Sequence, residues 1–502
     1  MRTAYRVDTV RAAEAELMAR LPAGALMLRA AAGLASACAG LLGRVSGARV
    51  VLLVGSGDNG GDTLYAGARL ARRGAGVSAV LLGARAHEGG LAALASAGGR
   101  VADDPFEVLA RADLVLDGIT GIGGRGGLRP DAVPVVRAAR GSDAAVVAVD
   151  LPSGVDADTG EVAGEAVRAD ATVTFGTYKP GLLVDPAREY AGALRLVDIG
   201  IGPFLPSVPE LEALQHGDVA RMLPVPVAES DKYRRGVIGV VAGSARYPGA
   251  AVLAVAGALR GGAGAVRYVG PAADAVLARY PETLVHAGPP EKAGRVQAWA
   301  IGPGLGDTPG VRDVLDSDVP VLIDADGLRN LDAAAVRARA APTLLTPHAG
   351  EAAALLGVAR EDVEARRLDA VRELAGRFGA TVLLKGSTTL VADPSAGVPV
   401  RVNPTGTPWL ATAGSGDVLS GLAGSLLAAG LAPRDAASVA AYLHGLAARR
   451  ASHGAPIAAH DVADALPGAW RDVTGGTSWV GRVGQDEAGR DGRDGRDVMG
   501  WT

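Results

Sequence analysis

The stretch ARVVLLVGSGDNGGD, residues 48–62, decides how the chain is read. Its first half is a short run of Val and Leu with no polar break, as in a strand buried on both faces of a sheet. Its second half places Gly55, Gly57 and Gly60 in G-x-G-x-x-G spacing, and LYAGARLARRGA then follows with helical spacing. Strand, glycine turn and helix in that order form the repeating unit of a parallel sheet with helices on both faces.

Outward from this stretch the unit repeats. VSAVLLG, ADLVLDGITG, AAVVAVDLPSG, ATVTFG and LRLVDIG read as further buried strands. Around 202–230 the pattern lapses into GPFLPSVPELEALQHGDVARMLPVPVAES, whose prolines and missing apolar period mark a boundary. A second series follows, with GVIGVVAGS, GAVRYVG, AWAIGPGLG, VPVLIDADGL, PTLLTPHAGE and ATVLLKGSTTLVAD. The fold class is α/β, with one domain over 1–215, a second over 216–470, and a low-complexity tail over 471–502 whose GRDGRDGRD run reads as disordered.

Composition narrows the classes. The 502 residues carry 50 basic and 54 acidic side chains, a net charge of −4, so no basic stripe calls for nucleic acid or an anionic membrane. The single Cys38 excludes an intramolecular disulfide and a thiolate zinc cluster, and fits a reducing cytoplasm. Glu14 and Glu16 stand where a signal peptide would be apolar. Residues 30–42, AAAGLASACAGLL, are uncharged but shorter than the roughly 20 residues a membrane span needs, so a buried helix is expected there.

The glycine loop at 55–60 alone suggests a dinucleotide pyrophosphate site, but the acid that would hold a ribose about 20 positions later is missing, which argues against a dehydrogenase. Asn59 and Asp62 instead offer a carbonyl oxygen and a carboxylate beside the turn. In a parallel sheet, Asp117 with its glycine loop, and Asp150, Ser153 and Asp156, arrive at the same edge. Each alone reads equally well as a cap or turn former.

VGSGDNGGD, LDGITGIGG, VDLPSGVDADTG and TVTFGTYKPG resemble the successive signatures of the NAD(P)H-hydrate epimerase family. The resemblance implies a Rossmann-like three-layer αβα domain that binds hydrated NADH or NADPH. The hydrate would lie against Asp58, Asn59, Gly60, Gly61 and Asp62, against Gly121, Ile122, Gly123, Gly124, Arg125, Gly126 and Gly127, and against Asp150. Potassium would sit on Asn59, Asp117 and Ser153. Asp150 is the candidate for proton handling, with Lys179 behind it. The chain departs from the family pattern at Asp58, Thr63 and Leu28, where Asn, Gly and Glu are usual.

In the second half, Asp324 and Asp326 end one strand, His348 and Glu351 another, and Lys385 precedes hydroxyls at a third. An ammonium followed by Ser and Thr suits anionic oxygens, though a lone strand-end lysine also serves as a plain surface charge. A solitary His348 reads as a cap or packed residue, and no second histidine stands at zinc spacing. ATAGSGDVLSG, 411–421, packs small residues around Asp417 ahead of an apolar helix. With AIGPGLG, DADGL, TPHAGE, LLKGSTT and AAYLHG in this order, the half resembles the ADP- or ATP-dependent NAD(P)H-hydrate dehydratases, a ribokinase-like α/β fold. That resemblance implies hydrate contacts at Ala251, Gly304, His348 and Asp417, and nucleotide contacts at Lys385, Gly386, Ser387, Thr388, Thr389 and Gly416. It also implies a general base at Asp417, with Mg2+ and ADP, or ATP, as cofactor and co-substrate.

Together the halves suggest a bifunctional repair enzyme, acting as epimerase and dehydratase on hydrated NADH and NADPH. A cytoplasmic homo-oligomer with no nucleic-acid or membrane partner is expected. The alternatives are a ribokinase-fold small-molecule kinase, and a first half that only binds a nucleotide.

Overall fold

The computed structural model describes residues 1–306 and 311–475; most of the tail, from 476 on, lies outside the described residues. The chain divides into two compact units, one over Thr3–Leu211 and the other beginning at Glu212.

In the first unit the strands lie in the order Arg100–Val101, Gly76–Leu81, Arg49–Val54, Leu114–Gly118, Ala145–Val149, Ala171–Phe175, Ala193–Val197, all parallel. The opening strand explains the layering. Val50, Leu52 and Val54 face one core with Leu34, Leu64 and Leu70 from the helices Ala25–Leu42 and Asp58–Arg72. Val51 and Leu53 face the opposite core with Val135 and Val136 from the helix Val133–Arg140. A strand covered on both sides has no face for polar residues, which is why it reads as an unbroken apolar run. The helix Ala25–Leu42 has the length and apolarity to cross a membrane, but it packs Ala31, Leu34 and Cys38 into this core. The order of strands reverses between Arg49–Val54 and Leu114–Gly118, and there open α/β sheets bind ligands.

In the second unit the order is Val400–Asn403, Thr389–Ala392, Thr381–Leu384, Thr343–Leu345, Val321–Ile323, Ala298–Ile301, Val237–Val241, Ala265–Val269, Leu284–His286. The strands are parallel except in the hairpin Thr381–Leu384 with Thr389–Ala392, and its antiparallel neighbour Val400–Asn403. ATVLLKGSTTLVAD is therefore two strands joined by a turn. The sheet reverses order between Val237–Val241 and Ala298–Ile301.

Two helices on one face, Pro248–Arg260 and Ser415–Ala428, touch backbone to backbone. A Cβ on Gly257 would stand 2.1 Å from the Val418 carbonyl oxygen, and one on Gly421 would stand 1.9 Å from that of Ala254. No side chain fits at either position, so the glycines set the approach. The last helix, Ala459–Val473, runs past residue 470, into the stretch the sequence reading assigns to the tail.

Candidate functional site

Each unit gathers the strand ends of its sheet at the point where strand order reverses. In the first unit, Gly55 lies so close to the neighbouring strand end that a Cβ would stand 1.8 Å from the Ile119 carbonyl oxygen. The helix begins at Asp58 with Gly57 as its cap, so Asp58, Asn59, Gly60, Gly61 and Asp62 form its first turn. Asp117, at the end of the adjacent strand, is fully buried. It accepts hydrogen bonds from Ser153 Oγ (2.6 Å), Ser153 N (2.8 Å) and Ile119 N (3.3 Å). Burial pushes its carboxyl up to about 6, and no Lys or Arg among the described residues pairs with it. Thr120 N donates to Ser153 Oγ (2.9 Å), and Asn59 Nδ2 donates to Thr120 O (3.1 Å). Asn59, Asp117 and Ser153 are thus brought together around Thr120.

Asp150 adopts a left-handed backbone, φ 65°, a conformation non-glycine residues hold only when their surroundings impose it. Its Oδ1 accepts from Lys179 Nζ, Thr174 Oγ1 (2.9 Å) and Phe175 N (3.1 Å). Lys179 is 1% exposed and also donates to Thr174 Oγ1 and Phe175 O, both at 3.0 Å. The pair is one unit, not a first and a second candidate. Asp62 adds a third acid: its Oδ1 is enclosed without a hydrogen-bond partner, and burial, with the charges of Asp150, Asp58 and Glu14, raises its carboxyl well above the usual range.

Among the glycine-loop residues 121–127, Gly126 and Gly127 take left-handed backbones, while Ile122 packs half-buried against the core. Of the departures, Asp58 is exposed and Leu28 is 44% exposed. Thr63 is buried, donates to Asn59 O (2.7 Å) and fills the space left by Gly118, where a Cβ would meet its Oγ1 at 2.0 Å.

The sequence reading missed the helix Val7–Met18. Its start is held by the bond from Val7 N to Asp158 Oδ1 (2.7 Å). Its Arg11 reaches the glycine loop, with Nη2 2.8 Å from where a Gly123 Cβ would stand. Glu14, one turn on, has its carboxyl raised by burial and by Asp150 and Asp58, against the pull of Lys179. No motif marks this helix; its charges stand in an ordinary amphipathic pattern.

In the second unit, Gly302 has φ 128°, and a Cβ there would stand 1.7 Å from the Asp324 carbonyl oxygen. This contact draws the GPGLG and DADG turns together. Gly304 lies against Tyr247 and Ala250 at the start of the helix Pro248–Arg260. The Ala251 side chain is fully buried, packed on Gly243, so only its backbone or its neighbours can reach a ligand. A cavity of about 1120 Å³ opens beside them, lined by Ser244, Tyr247, Leu305, Asp326 and Arg329. A smaller one of about 330 Å³ shares Asp326 and Arg329 and adds His348 and Glu351. His348 caps the helix Ala349–Leu356, with Nδ1 accepting from Glu351 N (3.1 Å), and its exposed ring also lines the cavity.

The helix Ser415–Ala428 starts after Gly414, whose φ of 88° makes the turn. His444, from the helix Pro433–Ser452, lies beneath it. Burial lowers its imidazole to about 4, and in the neutral form it donates Nε2–H to Ser415 O (2.9 Å). Asp417 occupies the first turn of the glycine-started helix. Burial, followed by the charge of Asp324, pushes its carboxyl up to about 7, while Lys385 opposes. Lys385 lies at 2.7 Å from Asp324 Oδ1 and 3.6 Å from Glu351 Oε2, and its Nζ is 3.5 Å from where a Gly416 Cβ would stand. Burial works against its charge, but these carboxylates outweigh it and hold the ammonium above its ordinary value. Lys385 and Gly416 therefore meet, whereas Thr388 is buried beneath the turn. Arg367, missed by the sequence reading, braces that turn by donating to Lys385 O and Thr388 O, both at 3.1 Å.

A carboxylate poised near neutrality and a lysine beside the N-terminus of a glycine-started helix, at the C-terminal edge of a largely parallel sheet, define a ribokinase-like α/β enzyme unit. The first unit has the matching Rossmann-like order. Residues 238–467 match the NAD(P)H-hydrate dehydratase family model, and residues 23–181 match that of the YjeF-related protein N-terminus. The bifunctional NAD(P)H-hydrate repair enzyme Nnr of Mycobacterium leprae is 51% identical over 460 residues, covering 89% of this chain and 94% of that one. Its counterpart in Corynebacterium glutamicum is 36% identical, over 94% and 99%. The crystal structure of the ADP/ATP-dependent NAD(P)H-hydrate dehydratase from Bacillus subtilis, co-crystallised with ATP/Mg2+, is 31% identical, covering 53% of this chain and 99% of that one with a TM-score of 0.48. The chain belongs to the family of bifunctional NAD(P)H-hydrate repair enzymes.

Proposed function

We propose that this protein restores hydrated NADH and NADPH, the first unit interconverting the R and S epimers and the second dehydrating the S epimer with ADP as phosphoryl donor. The observation that carries the reading is Asp417, a carboxylate with a proton affinity near neutrality in the first turn of a glycine-started helix. Hydroxide is a poor leaving group, and phosphorylation makes it a good one. Asp417 accepts the proton of the ring hydroxyl as its oxygen attacks the terminal phosphorus of ADP and the bond to AMP breaks. The Gly416 amide, the positive end of the helix Ser415–Ala428 and Lys385 balance charge on the moving phosphoryl group. Phosphate then leaves with the C–O bond electrons, the ring nitrogen pushes, and loss of the neighbouring C–H proton gives NAD(P)H and AMP.

Magnesium would arrive on the nucleotide phosphates and supply positive charge there. The acids around Asp417 leave it that role, since Asp324 is engaged by Lys385 and Ser420, and Asp326 by Arg329 and Gly306 N. Potassium suits the first unit. Asp117 is a buried carboxylate without a cationic side chain, beside the amide of Asn59 and the hydroxyl of Ser153, and such oxygen donors fit a hard monovalent ion. The Asp150–Lys179 pair handles the proton in epimerisation. One free cysteine, buried, accords with a cytoplasmic setting.

Pure S hydrate with the protein and ADP, or ATP, should regain the near-ultraviolet absorbance of the reduced nicotinamide. No recovery with either nucleotide would overturn the dehydratase assignment, and a stable phosphoester product would make the unit a kinase. Pure R hydrate should be consumed through the S form, faster in potassium than in sodium.

A further inference from the structure

Asp324 is given no contact by the motif resemblance, yet it is 1% exposed and lies at the centre of the second site. Its two oxygens work in different directions. Oδ1 accepts from Lys385 Nζ at 2.7 Å, and Oδ2 accepts from Ser420 Oγ. Ser420 lies on the helix that presents Asp417, about one turn further on, and its Oγ is also 3.0 Å from Gly416 O. One buried carboxylate therefore joins the end of the strand Val321–Ile323, the lysine of the KGST turn and the helix of the base.

We propose that Asp324 is a positioning residue for dehydration: through Ser420 it fixes the helix that presents Asp417, and by holding Lys385 it sets how readily Asp417 takes the substrate proton. The proposal rests on the dehydratase reading. The charged groups acting on Asp417 are Asp324 and Asp326 from one turn, Glu351 from the helix Ala349–Leu356, with the capping His348 beside it, and Lys385 from the end of the strand Thr381–Leu384. His444 lies neutral beneath, and Arg329 is taken up by Asp326. Among these charges Asp324 acts most strongly to keep the proton on Asp417, and Lys385 acts against it.

Replacing Asp324 by Asn keeps the shape and removes the charge: the amide oxygen can still accept from Lys385, while the amide NH2 donates to Ser420 Oγ, whose own hydrogen can turn to Gly416 O. Two consequences then add. The like charge disfavouring ionised Asp417 is gone, and Lys385 is freed to attract it. Both make Asp417 a weaker base that ionises at lower pH.

The test is the pH profile of kcat for S-hydrate dehydration by the full chain with saturating ADP and magnesium. In Asp324→Asn the acid limb should move to lower pH by about one unit or more. In Lys385→Gln it should move to higher pH. A limb that stays in place in Asp324→Asn while kcat falls equally at every pH would make Asp324 a mere structural prop and overturn the proposal. If far-ultraviolet circular dichroism shows that Asp324→Asn does not fold, Lys385→Gln decides: an upward shift supports the proposal, and an unmoved or lowered limb overturns it. A wild-type protein that restores no NAD(P)H removes the dehydratase reading and this proposal with it. An active wild type with unmoved limbs removes the proposal alone.

Discussion

Replacing Lys179 by Met should loosen the first unit before it does anything informative about catalysis. The lysine is 1% exposed and donates to Asp150, Thr174 and Phe175, so the change leaves the Asp150 carboxylate without its cation and takes a donor from Thr174 Oγ1 and from Phe175 O, the latter keeping Thr177 N at 2.7 Å. Breaking such a buried pair from one side costs about 3–5 kcal/mol, most of it the cost of the remaining charge. Tryptophan emission is a poor reporter of this, because among the described residues the tryptophans, Trp299, Trp409 and Trp470, all lie in the second unit. Hydrogen exchange read by mass spectrometry is local, and its peptides over 145–149 and 171–175 should exchange faster by about two to three and a half decades, at roughly 1.4 kcal/mol per decade. Peptides over 237–241 should be unchanged. Adding Asp150→Asn to Lys179→Met should restore part of the protection, since the orphaned charge is then absent. Protection in Lys179→Met equal to wild type would refute the argument, because Asp150 would then be compensated by something other than Lys179.

Three other expectations concern both units. Dehydration should show an acid limb near pH 7, since Asp417 must be ionised to act as base; kcat falls tenfold per unit below it, and Asp417→Asn should lose about 10²–10⁴-fold together with the limb. Gly257→Val should place side-chain atoms against the Val418 carbonyl and destabilise the second unit by at least about 1–3 kcal/mol, read as an earlier urea midpoint in tryptophan emission. Arg11→Ala should raise KM for R-hydrate epimerisation with kcat little changed, because an exposed guanidinium against the glycine loop suits the dinucleotide pyrophosphate. An unchanged KM would leave Arg11 an ordinary surface residue.

The buried strands were legible because the parallel sheet leaves no polar face: VVLLV, LVL, VVAV and TVTF carry their assignment in composition alone. The strands that escaped are of another kind. Arg100–Val101 and Leu284–His286 are short and end their sheets, where charged and polar residues are tolerated, whereas Val400–Asn403 is buried throughout but hides its strand pattern behind Arg401 and Asn403. In the sites, strand-end acids such as Asp117, Asp150 and Asp324 stand out by position, and Asp417 stands out as the one carboxylate among the small residues that open a helix. What could not be found is what depends on distance across the fold. Lys179 and Asp150 are 29 residues apart, Lys385 and Asp324 61, and Ser420 and Asp324 96. Arg11 and Glu14 carry no spacing that distinguishes them from the solvated charges of any amphipathic helix. His348 shows a different limit: cap and cavity wall are the same residue, so neither reading excluded the other.

The contact at Gly257 and Gly421 has a mechanical consequence. Tyr247, beside Gly304, stands at the head of one of these helices and Asp417 at the head of the other, so the bare backbones between them act as a fixed ruler between two ends of the pocket. Side chains can repack and let helices slide, but two main chains pressed together have no such slack. Adjustment to different substrates must then come from the turns around the heads, at Ser244–Tyr247 and Ala411–Gly414, and inherited changes in substrate size should collect there while the paired glycines stay.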